Sequence, residues 1–108
     1  MEYLKKFNEK FFSFINKNED WAKNISKNID SLNDVDIDYK ENDFIVGKID
    51  SYFFFLDGKK YSIKRILSSM EYKYELFSGG FELKCSERIK KEIFLKIKDI
   101  KNNKKESV

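Results

Sequence analysis

The residue types that most often perform catalysis are nearly missing from this chain of 108 residues. It contains no His, which is the commonest general base and metal ligand in proteins. Ser and Cys nucleophiles that depend on a His base are therefore excluded. Its single Cys, Cys85, would have to share a zinc ion with carboxylates alone, which is not a usual donor set. The sequence predicts a protein that is not an enzyme and that uses no metal or cofactor.

Glycine spacing gives no indication of phosphate binding either. The four glycines lie at positions 47, 58, 79 and 80, so neither GxGxxG nor the P-loop pattern GxxxxGKS/T occurs. The 19 acidic side chains provide carboxylate pairs of the kind that glycosidases use, but so many acids create such pairs by chance. The sequence contains no positive signal for a catalytic site.

An acidic segment between residues 34 and 43 is the most distinctive local pattern. It begins like an EF-hand loop, but Tyr39 stands where Gly is needed and Ile45 where a bidentate Glu is needed, so calcium binding is not predicted. Its alternation instead predicts a strand with three aspartates on one face. The charges on this face either protect an edge strand from aggregation or form a surface that recognises a protein partner. The candidate partner-binding residues are Asp34, Asp36, Asp38, Glu41 and Asp43.

Charge is divided unevenly along the chain. Residues 1–57 carry a net charge of −4 and residues 58–108 a net charge of +7. A polar molecule of this kind suits oriented docking on a charged partner. The basic half also supports an alternative function, nucleic-acid binding, in which lysines contact phosphates. The candidate nucleic-acid-binding residues are Lys59, Lys60, Lys64, Arg65, Lys90, Lys91 and Lys98.

Apolar side chains between residues 2 and 33 recur at steps of three and four, which predicts an amphipathic helix. A polar interruption at residues 16–20 leaves open whether this region is one helix or two, the second capped by Asn18. Packing of the apolar stripe on a sheet is preferred to a coiled coil because two asparagines fall on the stripe.

Between residues 34 and 85 the apolar side chains alternate, which predicts an antiparallel meander of five or six short strands. The predicted strands cover residues 34–39, 44–49, 52–56, 59–65, 71–76 and 81–85. The third is almost wholly apolar, so we expect both of its faces to be covered. Gly47 indicates a bulge or a close approach of two backbones, and residues 66–70 are expected to form a connector.

Two glycine-containing dipeptides predict hairpin turns. Asp57-Gly58 stands between two strand-like runs, where Gly accepts the positive φ of a type I′ turn. A two-residue loop at Gly79-Gly80 places Leu76 opposite Leu83 and avoids pairs of like charges.

Ser86 is the predicted cap of a last helix at about 87–101, whose buried stripe contains Ile89, Ile93, Ile97 and Ile100. Phe94 and Leu95 lie off this stripe, and a strand at residues 93–98 is the alternative. Residues 102–108 are predicted to be a disordered tail, and residues 1–101 a single α+β domain.

The predicted function is a small protein-binding module, an inhibitor or accessory protein of the anti-defence or immunity type, that docks a charged surface on a protein. The alternative is nucleic-acid binding, either direct or through a ribonucleoprotein partner. A third hypothesis is self-association through surplus apolar residues such as Phe12, Phe94 and Leu95. No apolar run reaches the length that spans a bilayer, no signal-peptide pattern is visible, and one Cys forms no internal disulfide, so we expect a cytoplasmic protein without membrane contact.

Overall fold

A computed structural model describes residues 18–45 and 47–102, and within them the fold is α+β as predicted. Helix α1 (residues 18–28) precedes two short 3-10 helices at Ile29–Ser31 and Asp34–Asp36. The sheet and the C-terminal helix follow as β1 (Ile37–Phe44), β2 (Gly47–Leu56), β3 (Lys59–Ser68), β4 (Glu71–Ser78), β5 (Phe81–Glu82) and α2 (Glu87–Asn102). The predicted tail lies outside the described residues except for Asn102, which ends α2. The predictions for residues 2–17, including Phe12, also lie outside them.

The sheet is an antiparallel meander whose strand order equals the chain order, β1-β2-β3-β4-β5. Each pair of consecutive strands is joined by two residues. The predicted turn at Asp57-Gly58 is confirmed, with φ angles of 51° and 77°. The predicted register at residues 79–80 is also confirmed, because the Leu83 N–H donates to the Leu76 carbonyl at 2.8 Å.

The beginning of the sheet differs from the prediction. Asp34–Asp36 form a 3-10 helix rather than a strand, and the Asn33 N–H donates to the Asp36 carboxylate at 2.8 Å. The predicted strands at 44–49 and 52–56 are also wrong as separate elements. Phe44 ends β1, and residues 47–56 form one strand, because Asp50 and Ser51 are buried within its ladder instead of interrupting it.

The predicted connector at residues 66–70 is largely strand. Residues 66–68 complete β3, and the turn is reduced to Ser69 and Met70, with φ angles of 51° and 66°. At the same end of the sheet, Gly47 confirms the expected close approach. A Cβ atom added to Gly47 would lie 2.0 Å from the Leu67 carbonyl oxygen, so this position accepts no side chain without movement of the backbone.

Helices α1 and α2 pack on one face of the sheet, where they form the core. Residues 93–98 belong to α2, so the alternative of a strand there is wrong. Phe94 was expected off the buried stripe but is fully buried, and its ring contacts Tyr52 and Tyr74 with centroid distances of 5.3 and 5.6 Å. Leu95 stays exposed. The largest fully buried side chains are Ile25, Ile29, Ile37, Phe54, Ile63, Leu76, Leu83, Ile93, Phe94 and Ile97.

The two helices run side by side in the same direction. Glu19, near the start of the described part of α1, accepts two 2.7 Å hydrogen bonds from Ser86, one from its N–H and one from its hydroxyl. Further along, the Ser26 hydroxyl donates to Glu92 at 3.0 Å. Ser86 also caps α2 as predicted, because its hydroxyl accepts from the Ile89 N–H at 3.3 Å. Asn18 is itself helical, so it does not cap α1.

Candidate functional site

The two faces of the sheet are covered very differently. Alternation and register place Phe54 under the helices and its neighbours Phe53 and Phe55 on the opposite face. We call this opposite face the open face, because no described helix lies over it. Phe55 is 58% exposed, so the expectation that both faces of this apolar segment are covered is wrong. The large apolar side chains of the open face are Phe44, Ile49, Phe53, Phe55, Ile66 and Phe77.

Two phenylalanines on the open face flank a buried serine. Ser62 on β3 lies opposite Phe53 on β2 and Phe77 on β4, so its small side chain forms the floor between the two rings. The ammonium group of Lys60 lies 5.5 Å from the centre of the Phe53 ring, and that of Lys64 lies 5.0 Å from the centre of the Phe77 ring. These cation–π contacts leave the rings half-buried beneath flexible lysine stems that a partner can displace.

Charges of both signs surround these apolar side chains. The charged strand residues that point to the open face are Asp38, Lys40, Lys60, Lys64, Glu71, Lys73, Glu75 and Glu82. Four are basic and four are acidic, so the net charge of the open face is zero. An apolar centre with a rim of mixed charge is the usual composition of a protein–protein interface.

The prediction that Asp34, Asp36 and Asp38 share one face of a strand is wrong. Asp34 and Asp36 belong to the 3-10 helix, Asp38 points to the open face, and Glu41 and Asp43 point to the helix-side face. The alternation that was expected from residue 34 begins only at Ile37. What these residues share is a position along one edge of the molecule, because β1 is the first strand of the sheet.

The basic candidates are dispersed as well. Arg65 and Lys59 lie on the helix-side face, and Lys60 and Lys64 lie on the open face. Lys90 is buried and forms a 2.7 Å ion pair with Glu87. The two remaining candidates, Lys91 and Lys98, lie on α2. The seven candidates are therefore divided between the two faces of the sheet and α2.

A polar cluster that the sequence analysis missed lies on the helix-side face. The Asp50 carboxylate accepts hydrogen bonds from the Tyr39 hydroxyl at 2.5 Å and from the Arg65 guanidinium at 3.2 Å. Lys48 lies 3.9 Å from Asp50 and 3.4 Å from Glu41. The Arg65 guanidinium also stacks on aromatic rings, among them Tyr72 at 4.5 Å from the ring centre. Asp50 and Arg65 lie opposite each other across the β2–β3 hairpin. Their spacing of 15 residues along the chain is the only sequence feature that could have indicated this pair.

The electrostatics of this cluster suit a structural role. Burial raises the pKa of Asp50, but hydrogen bonds from Tyr39 and Arg65 outweigh it and hold the pKa below the usual value. Burial and the hydrogen bonds to Asp50 and Glu41 raise the pKa of Tyr39. At neutral pH the carboxylate therefore stays charged and the phenol stays protonated, so neither is poised for proton transfer.

A small cleft separates α1 from the β2–β3 turn. It has a volume of about 240 Å³ and is lined by residues that include Trp21, Asn24, Leu56 and Lys59. The indole N–H of Trp21 donates to the Tyr61 hydroxyl at 3.1 Å, and the Lys59 ammonium lies 5.4 Å from the centre of the indole ring. This volume is below the range of about 300–1,000 Å³ that is typical of small-molecule sites, so the cleft fits a single side chain better than a cofactor.

The described residues contain no group of His, Cys, Asp and Glu side chains arranged to hold a metal ion. None of their helices is both long and apolar enough to cross a membrane. Cys85 is half-buried against the core, and burial raises its thiol pKa to about 11.

Comparisons of the chain with protein-family models, with curated proteins and with solved structures found no significant match.

Proposed function

We propose that this chain is a non-enzymatic protein-binding module of the cytoplasm, an inhibitor or accessory protein, and that it docks the open face of its sheet on a protein partner. One observation carries the proposal: six large apolar side chains lie on the face of the sheet opposite the helices, and Phe55 among them is 58% exposed. The solvated face of an antiparallel sheet is normally polar. An apolar face of this kind is typical of a surface that another protein covers.

The composition of the open face favours a protein over a nucleic acid as the partner. Aromatic rings beside Lys60 and Lys64 resemble the stacking platforms of single-strand binders. Phosphate binding, however, depends on a surplus of positive charge, and on this face four acidic side chains balance the four lysines. The mixed rim instead suits a partner surface that is itself of mixed charge.

Capture of partners from extracts of the native host, after nuclease treatment, tests the proposal with two matched variants. Phe55→Ser removes an exposed ring from the open face, and Phe81→Ser removes an equally exposed ring from the helix-side face (58% against 54%). Equal melting temperatures of the two variants would establish that both remain folded. We expect a protein that the unmodified chain and Phe81→Ser retain, and that Phe55→Ser retains about tenfold less.

Two results would contradict the proposal. One is that every retained protein binds Phe55→Ser as well as it binds the unmodified chain. The other is that nuclease removes all retained material, which would place the interaction with nucleic acid instead.

A further inference from the structure

Among the described residues, the outer edge of β1 is the longest edge of the sheet that carries no paired strand. In the described part of the chain β1 pairs only with β2, over all eight of its residues. Every residue of β1 after Ile37 is exposed. Alternate residues of such an edge direct their N–H and C=O groups outward, where they can pair with another strand.

The two ends of the sheet are not equivalent. At the far end, β5 pairs with only two residues of β4, and the Tyr74 N–H donates to the Glu87 carboxylate at 3.3 Å. At the near end, the Lys101 ammonium donates to the carbonyl oxygens of Ile37 at 2.7 Å and Asp34 at 3.0 Å. These contacts involve only the start of β1, and no strand in the described part of the chain pairs with the outer edge of its remaining length.

The net negative charge of this edge favours a partner segment that carries positive charge. Residues 34–43 contain five acidic side chains and one Lys, a net charge of −4. Glu41 has a counter-ion on the adjacent strand, Lys48 at 3.4 Å. The two other acids of β1, Asp38 and Asp43, lie on opposite faces of the strand because they are five residues apart. A second copy of this chain would bring the same negative charge to the edge, whereas a basic segment would complement it.

We propose that an extended basic segment of the protein partner adds to β1 as a further strand, with Lys or Arg side chains opposite Asp38 and Asp43. The inference rests on the proposed protein-binding function and specifies how the partner is held. The backbone groups of β1 supply the hydrogen bonds of the added strand, and the two aspartates supply the preference for positive charge. The open face adjoins this edge through Asp38, which lies opposite Phe53, so the same partner can cover both surfaces.

A synthetic peptide tests the inference without an identified partner. The probe is an octapeptide of Val and Thr, blocked at both ends, with Lys at its second and seventh positions. In an antiparallel pair with the eight residues of β1 these two lysines lie opposite Asp43 and Asp38. The control peptide carries Glu at the same two positions. Binding is followed by the backbone amide NMR shifts of the full chain. We expect saturable shift changes in β1, and at equal concentration the Lys peptide should produce changes about tenfold larger than the Glu peptide does.

Substitutions in the chain then assign the effect to β1. Asp38→Asn with Asp43→Asn should reduce the affinity for the Lys peptide by about five- to tenfold. Asp57→Asn with Asp99→Asn, at exposed positions outside both β1 and the open face, is the matched control and should leave it unchanged. Shifts confined to other strands, no saturation in the millimolar range, or equal binding of both peptides would overturn the inference. The proposed function would survive each of these results if capture of a host protein still depends on Phe55.

Discussion

The Tyr39 hydroxyl donates a 2.5 Å hydrogen bond to the Asp50 carboxylate on the neighbouring strand, and this contact ties the edge strand β1 to the centre of the sheet. Arg65 on β3 contacts the other carboxylate oxygen at 3.2 Å, so one buried acid joins three strands. A buried carboxylate that is both paired and hydrogen-bonded stabilises a single register, whereas an unpaired one would destabilise the fold.

Tyr39→Phe removes the hydroxyl but retains the ring that packs on Tyr52 at a centroid distance of 4.8 Å. We expect the free energy of unfolding to fall by about 1–2 kcal/mol, since one hydrogen bond to a charged, buried acceptor is lost. Urea denaturation measures the change. Tyr72→Phe is the control: Tyr72 is exposed, its ring stacking on Arg65 is kept, and the loss should be below about 0.5 kcal/mol. Equal losses in the two variants would show that the Tyr39–Asp50 contact contributes nothing specific.

Asp50 should also make stability depend on acidic pH. Its folded pKa lies below the usual value, because the hydrogen bonds from Tyr39 and Arg65 outweigh its burial. Its contribution is therefore complete above the unfolded pKa of about 4 and is lost as the pH falls through the lower folded pKa. In urea titrations between about pH 7 and pH 2, Asp50→Asn should be less stable at neutral pH by about 2 kcal/mol and should show a flatter decline in acid. A decline parallel to that of the unmodified chain would contradict this assignment.

The Cys85 thiol should be slow to alkylate. Burial raises its pKa to about 11, so at pH 8 only about 0.1% of the thiol is ionised. We expect iodoacetamide to react more than about tenfold more slowly with the folded chain than with the chain in urea. The folded rate should rise about tenfold for each pH unit between 8 and 10, since the thiolate is the reacting species. A rate that is equal in the folded and unfolded chain would rule out the burial effect.

The turn at Ser69 and Met70 holds two residues other than Gly at positive φ. Left-handed backbone costs such residues about 1 kcal/mol each, whereas Asn and Gly adopt it readily. Ser69→Asn with Met70→Gly should therefore stabilise the chain by about 1 kcal/mol in thermal or urea denaturation. Gly58 in the β2–β3 turn has a φ of 77°, so Gly58→Ala should instead destabilise the chain. Stabilisation by both changes, or by neither, would show that turn strain does not determine the effect.

These two turns also show what the sequence could and could not indicate. Asp57-Gly58 was predictable because Gly favours the backbone conformation that the turn requires. Ser69-Met70 has no such preference, and its conformation is imposed by the pairing of β3 with β4 on both sides. Local sequence therefore identified the turn at residues 57–58 but placed a connector at residues 66–70, where strand pairing continues.

Burial of polar residues was the second feature that the sequence did not indicate. Asp50 and Ser51 look like a break between two strands, yet both are buried within β2. The reason is tertiary: Asp50 finds Tyr39 on one neighbouring strand and Arg65 on the other. Phe94 is a similar case. It was expected off the buried stripe because the sequence of the helix alone places the apolar stripe on other residues. It is buried because Tyr52 and Tyr74 on the sheet contact its ring.

The meander order has a consequence for how the chain folds. Each pair of neighbouring strands closes a loop of two residues, so the entropy lost on closure of each hairpin is small. Contacts between the helices are far more distant in the chain: Ser26 meets Glu92 across 66 positions. We infer that the strands associate before α1 and α2 dock, and that substitutions at the Ser26–Glu92 contact accelerate unfolding while leaving the folding rate nearly unchanged.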